Sequence, residues 1–318
     1  MTRQARPESS ETRCRTCRIP LAILSSRLRP ARPAPKVQAM DVLYFFKHSP
    51  FGDLELKYSL RSVERYMPWA RRVVVFGDRP EWLAGPESGI FHVPHEAIAW
   101  IGPYRTPVTN WFLMFYLTAL LPELDEEYLF CSDDFVLLHD LTPDEARRNR
   151  YLQDLATLGN RGTGLWKDSL WRTHDLLKRL GYGTLNYETH TPARFRKQWV
   201  LDAYRDLRDF VTEDRWQGAM GITAILSHTQ KHHPRPLVHL KAEGSRVGFH
   251  GKPPEYDEIV SLASAADARF LNFDDEAFGP DLQRFLAERF PHPCRYERYE
   301  TPATPTSAVI DTGSVPVS

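Results

Sequence analysis

Apolar and polar positions along the chain alternate between two rhythms. Asp41-Val42-Leu43-Tyr44-Phe45-Phe46 and Arg71-Arg72-Val73-Val74-Val75-Phe76-Gly77-Asp78 are short, nearly continuous apolar runs, the pattern of strands buried on both faces. Between them Leu54, Tyr58, Leu60, Val63 and Tyr66 recur at helical spacing. Glu55, Lys57, Arg61, Glu64 and Arg65 interleave with them as a solvated face, and Pro68 ends the helix. Phe91-His92-Val93 predicts a third, shorter strand, and Asn110 to Leu121 a strongly apolar helix that leads through Pro122 into a fourth. That fourth run, Tyr128-Leu129-Phe130-Cys131-Ser132-Asp133-Asp134-Phe135, stops abruptly in two adjacent carboxylates before Val136-Leu137-Leu138 resumes. Strands alternating with helices imply a parallel sheet, whose ligands bind outside the carboxyl ends of the strands. Asp78 and Asp134 share that edge.

From about Leu141 the rhythm becomes helical, notably over Leu170 to Leu180 and Ala193 to Phe210, and this half is expected to cover the ligand edge of the sheet. Phe270-Leu271-Asn272-Phe273 then predicts a strand, and Asp281 to Phe290 an amphipathic helix. The organisation expected is an α/β region over 40–140 that binds the ligand, a helical region of the same domain over 141–300, and two tails. Residues 1–39 carry many arginines and prolines with little acid, and 301–318 are Thr, Pro, Ser and Val with almost no charge, so both are expected to be disordered. Because a strand pattern starts directly after Met40, translation is expected to begin there.

Lys plus Arg and Asp plus Glu number 41 each, so no overall field draws the chain to nucleic acid, and any anion site must be local. The longest apolar run, Trp111 to Leu121, is about half of the roughly 20 residues that cross a bilayer, and no transmembrane segment is expected. Of four cysteines, Cys14 and Cys17 form one C-x-x-C without a second pair, and Cys131 and Cys294 stand alone. Reduced thiols in the cytoplasm fit best.

Carboxylates have no cheap place inside a core, so the pair Asp133 and Asp134 at the mouth of a buried strand points to a divalent cation, Mg²⁺ or Mn²⁺, and beyond it a phosphate. A plain turn or helix cap is the alternative. His190 stands in Tyr187-Glu188-Thr189-His190-Thr191-Pro192, where a neutral imidazole suits a general base for an acceptor hydroxyl. Arg215 has the planar fork that matches a diphosphate, or else pairs with Glu213 or Asp214. Lys47 and His48, at the end of the first strand, lie where a nucleotide would approach a parallel sheet, or else belong to a solvated loop. Asn110 reads first as a helix cap, and Arg61 with Glu64 as an intrahelical pair. The cluster His228, His232, His233 and His239 fits no compact zinc pattern and is expected to be a solvated loop.

At this point a family resemblance becomes visible. Leu54-Glu55-Leu56-Lys57-Tyr58-Ser59-Leu60-Arg61-Ser62-Val63-Glu64-Arg65-Tyr66, followed by Pro68-Trp69 and Glu81-Trp82-Leu83, resembles the second conserved region of the Stealth family of sugar-phosphate transferases. The likeness continues through Val93-Pro94-His95-Glu96-Ala97-Ile98 and Pro107-Val108-Thr109-Asn110 to the Ser132-Asp133-Asp134 turn. His190-Thr191-Pro192 is similar to the start of the family's third region, and Phe270 to Asp275 with Phe290 to Glu297 to its fourth. Three departures stand out: Phe45-Phe46-Lys47-His48 occupies the place of a Trp-Val-Asp-Gly sequence, Ser132 that of an asparagine, and the arginine and aspartate of the third region are met only loosely by Arg215, with no obvious acid following.

The resemblance implies a nucleotide-sugar transferase fold of the GT-A-like, Rossmann-like kind, with Asp133 and Asp134 on the metal, His190, Asp134 and Arg215 in catalysis, and Asn110, His95 and Ser132 near the sugar. It favours a nucleotide-sugar donor, attack at phosphorus and sugar-1-phosphate transfer to a glycan hydroxyl or other hydroxyl acceptor. Attack at the anomeric carbon would instead make a glycosyltransferase that releases a nucleoside diphosphate. The altered first region also leaves room for an inactive sugar-binding protein.

Overall fold

The computed structural model describes residues 39–98, 101–102 and 104–298. The expectations for residues 1–38 and 301–318 therefore fall outside the described residues. In chain order the strands are β1 (Asp41–Phe46), β2 (Val73–Gly77), β3 (Ile90–Val93), β4 (Glu127–Cys131), β5 (Phe135–Leu137), β6 (Asn149–Tyr151), β7 (Gln153–Asp154), β8 (Leu185–Asn186), β9 (Ala193–Arg196), β10 (Leu237–His239), β11 (Ser245–Phe249) and β12 (Ala268–Phe273). The helices are α1 (Leu54–Tyr66), α2 (Trp111–Ala119), α3 (Pro143–Ala146), α4 (Leu165–Arg179), α5 (Lys197–Leu207), α6 (Gly221–His232), α7 (Tyr256–Ala263) and α8 (Pro280–Arg289).

The main sheet runs β3-β2-β1-β4-β9; the first four strands are parallel and β9 is antiparallel to β4. Alternation along β1 decides what covers each face. Val42, Tyr44 and Phe46 pack with Leu56, Leu60 and Val63 of α1 and with Phe270, Leu271 and Phe273 of β12. Leu43 and Phe45 pack on the opposite face with Phe112 and Phe115 of α2, Val200 of α5 and Ile225 of α6. With apolar layers on both sides, every strand residue of β1 and β2 is buried, which is why the runs lack polar interruptions. The α/β sandwich with a mostly parallel sheet is the expected class.

The second half departs from the expectation of helices in two ways. It also carries β6 to β12, and β11-β12-β5 form a second sheet in which β5 runs antiparallel to β12. The helix expected over Ala193 to Phe210 begins only at Lys197, because Ala193-Arg194-Phe195-Arg196 alternates with period two and Phe195 is fully buried against β4 while Arg194 reaches Glu127 at 2.8 Å. Residues 40–140 and 141–298 share both cores, since β9 completes the first sheet and β12 packs beneath it.

The solvated face expected for α1 is only partly so. Glu55 is buried, and Arg61 does not pair with Glu64 but with Glu297, donating from Nε and Nη2 at 2.6 and 2.7 Å. Glu64 instead accepts from the Arg295 backbone at 3.0 Å. These contacts close the C-terminal segment onto α1, across a sequence distance that helical spacing cannot reveal.

Candidate active site

The carboxyl ends of β1, β2 and β4 converge on one edge. Ser132-Asp133-Asp134 forms the turn that lifts the chain out of the main sheet and into β5. Two serines of α1 hold it: Ser59 Oγ donates to the Phe135 carbonyl at 2.6 Å, and Ser62 Oγ accepts from the Leu137 amide at 3.0 Å. Small hydroxyls are needed here because bulkier side chains would keep α1 off the turn. Ser132 is buried and donates to Asp133 Oδ1 at 3.0 Å, which fixes one carboxylate oxygen.

Asp134 is held differently. Its Oδ1 is buried and has no hydrogen-bond partner among the described residues. Such an oxygen costs about 1–3 kcal/mol unless a partner arrives. Both carboxyls are pushed upward: Asp133 by burial and then by the charge of Asp134, and Asp134 by burial, offset by Ser132 and the charge of Arg215. Glu55, raised by its own burial, and Asp275 add negative charge to the same place. Four acids thus influence one another around this turn. The donor set is therefore hard oxygen, and two carboxylates with phosphate oxygens suffice for Mg²⁺ or Mn²⁺.

Beside the acids the loop after β1 is tightly built. Asp53 sits in the left-handed region at φ 62°, caps the Ser49 amide at 3.0 Å, and holds His48 Nδ1 at 2.8 Å. The His48 amide donates to Asp78 Oδ2 at 2.8 Å, joining the ends of β1 and β2. Gly77, at φ 124°, lets that approach happen: a Cβ there would lie 2.1 Å from the Phe46 carbonyl oxygen. Lys47 and His48 are both exposed at this edge.

Arg215 lies in the loop after α5, its guanidinium over the rings of Trp111 and Trp216 at 5.5 and 4.8 Å. It makes no ion pair among the described residues. Glu213 meets Arg105 at 3.8 Å, and Asp214 Oδ1 accepts from the Trp216 amide at 2.6 Å. Asn110 anchors this loop. Its Oδ1 caps α2 by accepting from the Leu113 amide at 3.0 Å, and its Nδ2 donates to the Asp214 carbonyl at 3.1 Å, so the cap and the site position are one device. His95 is buried edge-on against Phe76, with Nδ1 accepting from the Val108 amide at 3.4 Å. Burial lowers its tendency to protonate.

His190 has φ 52°, an uncommon conformation for a residue with a Cβ. Its ring stands edge-on to Phe135 at 5.7 Å and near His250 at 6.3 Å. Burial, then the charges of Arg246 and His250, push it down to about 3. Burial thus favours its neutral form and makes it a weak base.

Several neighbours escape the sequence reading. Arg246 on β11 donates to Asn272 Oδ1 at 2.9 Å, and its charge reaches both His190 and Asp134. His250 lies 3.5 Å from Asp274 Oδ2. Glu188 is buried, accepts from the Thr223 amide at 3.0 Å, and is pushed up to about 7 by burial, offset by Thr223 and the charge of Arg215. The signal that could have found two of them is that Arg246 and Asn272 stand beside apolar residues within short strands, Arg246 before Val247 and Asn272 between Leu271 and Phe273.

The histidine cluster also differs from expectation. His228 and His232 stand one turn apart on α6 rather than in a loop; His233 caps that helix and His239 ends β10. His228 is buried because Tyr182 and α5 cover it.

Residues 52–154, from the loop before α1 to β7, match the model of Stealth protein CR2, conserved region 2. The chain carries Stealth conserved region 2. Asp133 and Asp134 fall inside this Stealth region; Lys47, His48, His190, Arg215 and Arg246 fall outside it. An exopolysaccharide phosphotransferase of Nocardia farcinica (strain IFM 10152) is 24% identical over 274 residues, 78% of this chain and 54% of its own length. A capsular polysaccharide phosphotransferase of Neisseria meningitidis serogroup B is 29% identical over 181 residues, 51% of this chain and 47% of its own. The chain thus spans about half the length of these relatives. Among solved structures, a galactosyltransferase LgtC bound to donor and acceptor sugar analogs covers 80% of this chain and 98% of its own at 14% identity and a TM-score of 0.42, too loose a likeness to carry function across.

Proposed function

We propose that this protein is a transferase that uses a nucleotide-sugar donor and passes sugar-1-phosphate to a glycan hydroxyl, of the kind found in capsular or other cell-surface polysaccharides. The observation that carries the reading is the Asp133–Asp134 turn, where raised carboxyls and the partnerless Asp134 Oδ1 lack a positive partner at the ligand edge of a parallel sheet. Region 2 of the Stealth proteins, which contains this turn, and the phosphotransferase names of the relatives support it.

In this reading Asp133 and Asp134 hold Mg²⁺ or Mn²⁺. When bound, such an ion neutralises diphosphate charge. The other steps belong to side chains. Arg215, kept over its two tryptophans by Asn110 and the 213–216 loop, faces phosphoryl oxygens where charge develops in the transition state. Arg246 reinforces that field from the second sheet, and Lys47 with His48 meets the nucleotide at the end of β1. His190 orients the acceptor hydroxyl and takes its proton. Burial is the main cause of its weak basicity, and donor phosphates would offset only the added charge of Arg246. Residues 40–140 supply the donor side and 141–298 the acceptor side. Cys131 and Cys294 are free buried thiols, which suits a reducing compartment such as the cytoplasm.

The test is the nucleotide released when nucleotide sugars, Mn²⁺ and an oligosaccharide acceptor are incubated with the protein. A nucleoside monophosphate is expected. Release of the diphosphate would replace phosphoryl by glycosyl transfer, and absence of turnover with retained donor binding would leave a sugar-binding protein.

A further inference from the structure

On the face of the molecule formed by α5 and α6, three side chains with metal-binding atoms converge. Asp206 of α5, His228 and His232 of α6 present a carboxylate oxygen and two ring nitrogens that all lie within 4.8 Å of one another. The histidines are four residues apart on one helix, so their rings share a face, with centroids 4.4 Å apart. His228 is 2% exposed, and Nε2 faces Asp206 Oδ2 at 2.9 Å while Nδ1 is buried with no hydrogen-bond partner. The Tyr182 ring closes one side, 5.6 Å from His228 and 6.2 Å from His232. Arg205 donates from Nε to Asp206 Oδ1 at 2.8 Å and, more distantly, from Nη2 at 3.4 Å to Oδ2, the oxygen turned to the histidine.

We infer that Asp206, His228 and His232 form a site for a divalent transition-metal ion of the zinc class that clasps α5 to α6. Two imidazoles and one carboxylate suit zinc, cobalt or nickel, whereas magnesium and calcium prefer all-oxygen shells. The ion takes the place of the His228–Asp206 hydrogen bond, and its fourth position falls to water because His232 and Asp206 are at the surface. The site is separate from the Asp133–Asp134 turn in its residues and in its metal preference, and it does not depend on the function proposed above.

The full-length chain, stripped of metal with a chelator, is titrated with cobalt(II) and followed by its visible ligand-field bands. One equivalent with the intensity of four-coordinate cobalt is expected, displaced by zinc, in the parent and equally in Asp134→Asn. His232→Ala should lose that equivalent while melting in chelator as the parent does, since His232 is exposed at the end of its helix. Arg205→Ala should bind more tightly, because Asp206 is released from its arginine. Zinc should raise the melting temperature of the parent and leave that of His232→Ala unchanged. The inference is overturned if the parent takes up no such equivalent, if His232→Ala keeps it, or if it disappears in Asp134→Asn instead.

Discussion

Two acidic positions at opposite ends of the same paired strands show how a protein treats a carboxylate that holds it together and one that it keeps in reserve. Asp41 opens β1 and is fully buried, yet it accepts from Arg71 Nε at 2.9 Å, Arg72 Nε at 3.0 Å and the Asp125 amide at 2.9 Å. Asp133 and Asp134, beyond the far end of β4, have more exposed surface but fewer partners, and one of their oxygens has none. Burial alone therefore does not separate these two positions. Unmet demand for positive charge does, and it lies at the edge where parallel strands present their carboxyl ends.

The contrast can be broken first at the Asp134 end. Asp134→Asn should lower turnover on the order of 10³-fold, the equivalent of several kcal/mol of lost charge stabilisation, with the fold intact by circular dichroism. Turnover within a few-fold of the parent would make the turn structural. At the other end, Asp41→Ala should cost about 3 kcal/mol in urea unfolding and leave turnover per folded molecule unchanged, because two arginines lose their shared acceptor. A third substitution, Arg215→Ala, should reduce kcat/KM roughly 100-fold and leave stability within about 0.5 kcal/mol, its guanidinium being exposed and unpaired. A stability loss larger than the activity loss would assign Arg215 to the tryptophans beneath it.

The smallest effect lies in pH. A carboxyl raised in the folded chain keeps its proton longer than in the unfolded one, so its ionisation weakens folding as pH climbs from the unfolded value of about 4 through the folded one. Without metal, Asp134→Asn should thus gain melting temperature over the parent at pH 8, by roughly 3 °C, and not at pH 4. Mg²⁺ or Mn²⁺ should stabilise the parent more at pH 8 than at pH 5, since only the ionised pair is a ligand set. Equal stabilisation at both pH values would place the ion elsewhere.

Much of the first half could be read from the chain. The runs at Val42 to Phe46 and Val73 to Phe76 had to be strands because neither face tolerates water, and the break at Asp133 and Asp134 announced itself against them. Ser59, Ser62 and Glu55 were harder. Helical spacing marks which residues share a face of α1, but not that β5 and the turn lie against that face. Ala193 to Arg196 misled because a strand of four residues and the first turn of a basic helix look alike when the partner strand is remote in sequence.

Local pattern thus settled the alternating strands and helices, the burial of their apolar faces and the carboxylate pair at a strand end, because side-chain periodicity and the cost of burying charge act within a few residues. Only the tertiary structure decided that Arg246 attends that pair, that Glu188 meets Thr223 and His250 lies beside Asp274, that Arg61 belongs to Glu297, and that His228 and His232 meet Asp206. Those partners are set by how helices and sheets stack, and packing brings together residues whose separation along the chain carries no signal of their distance in space.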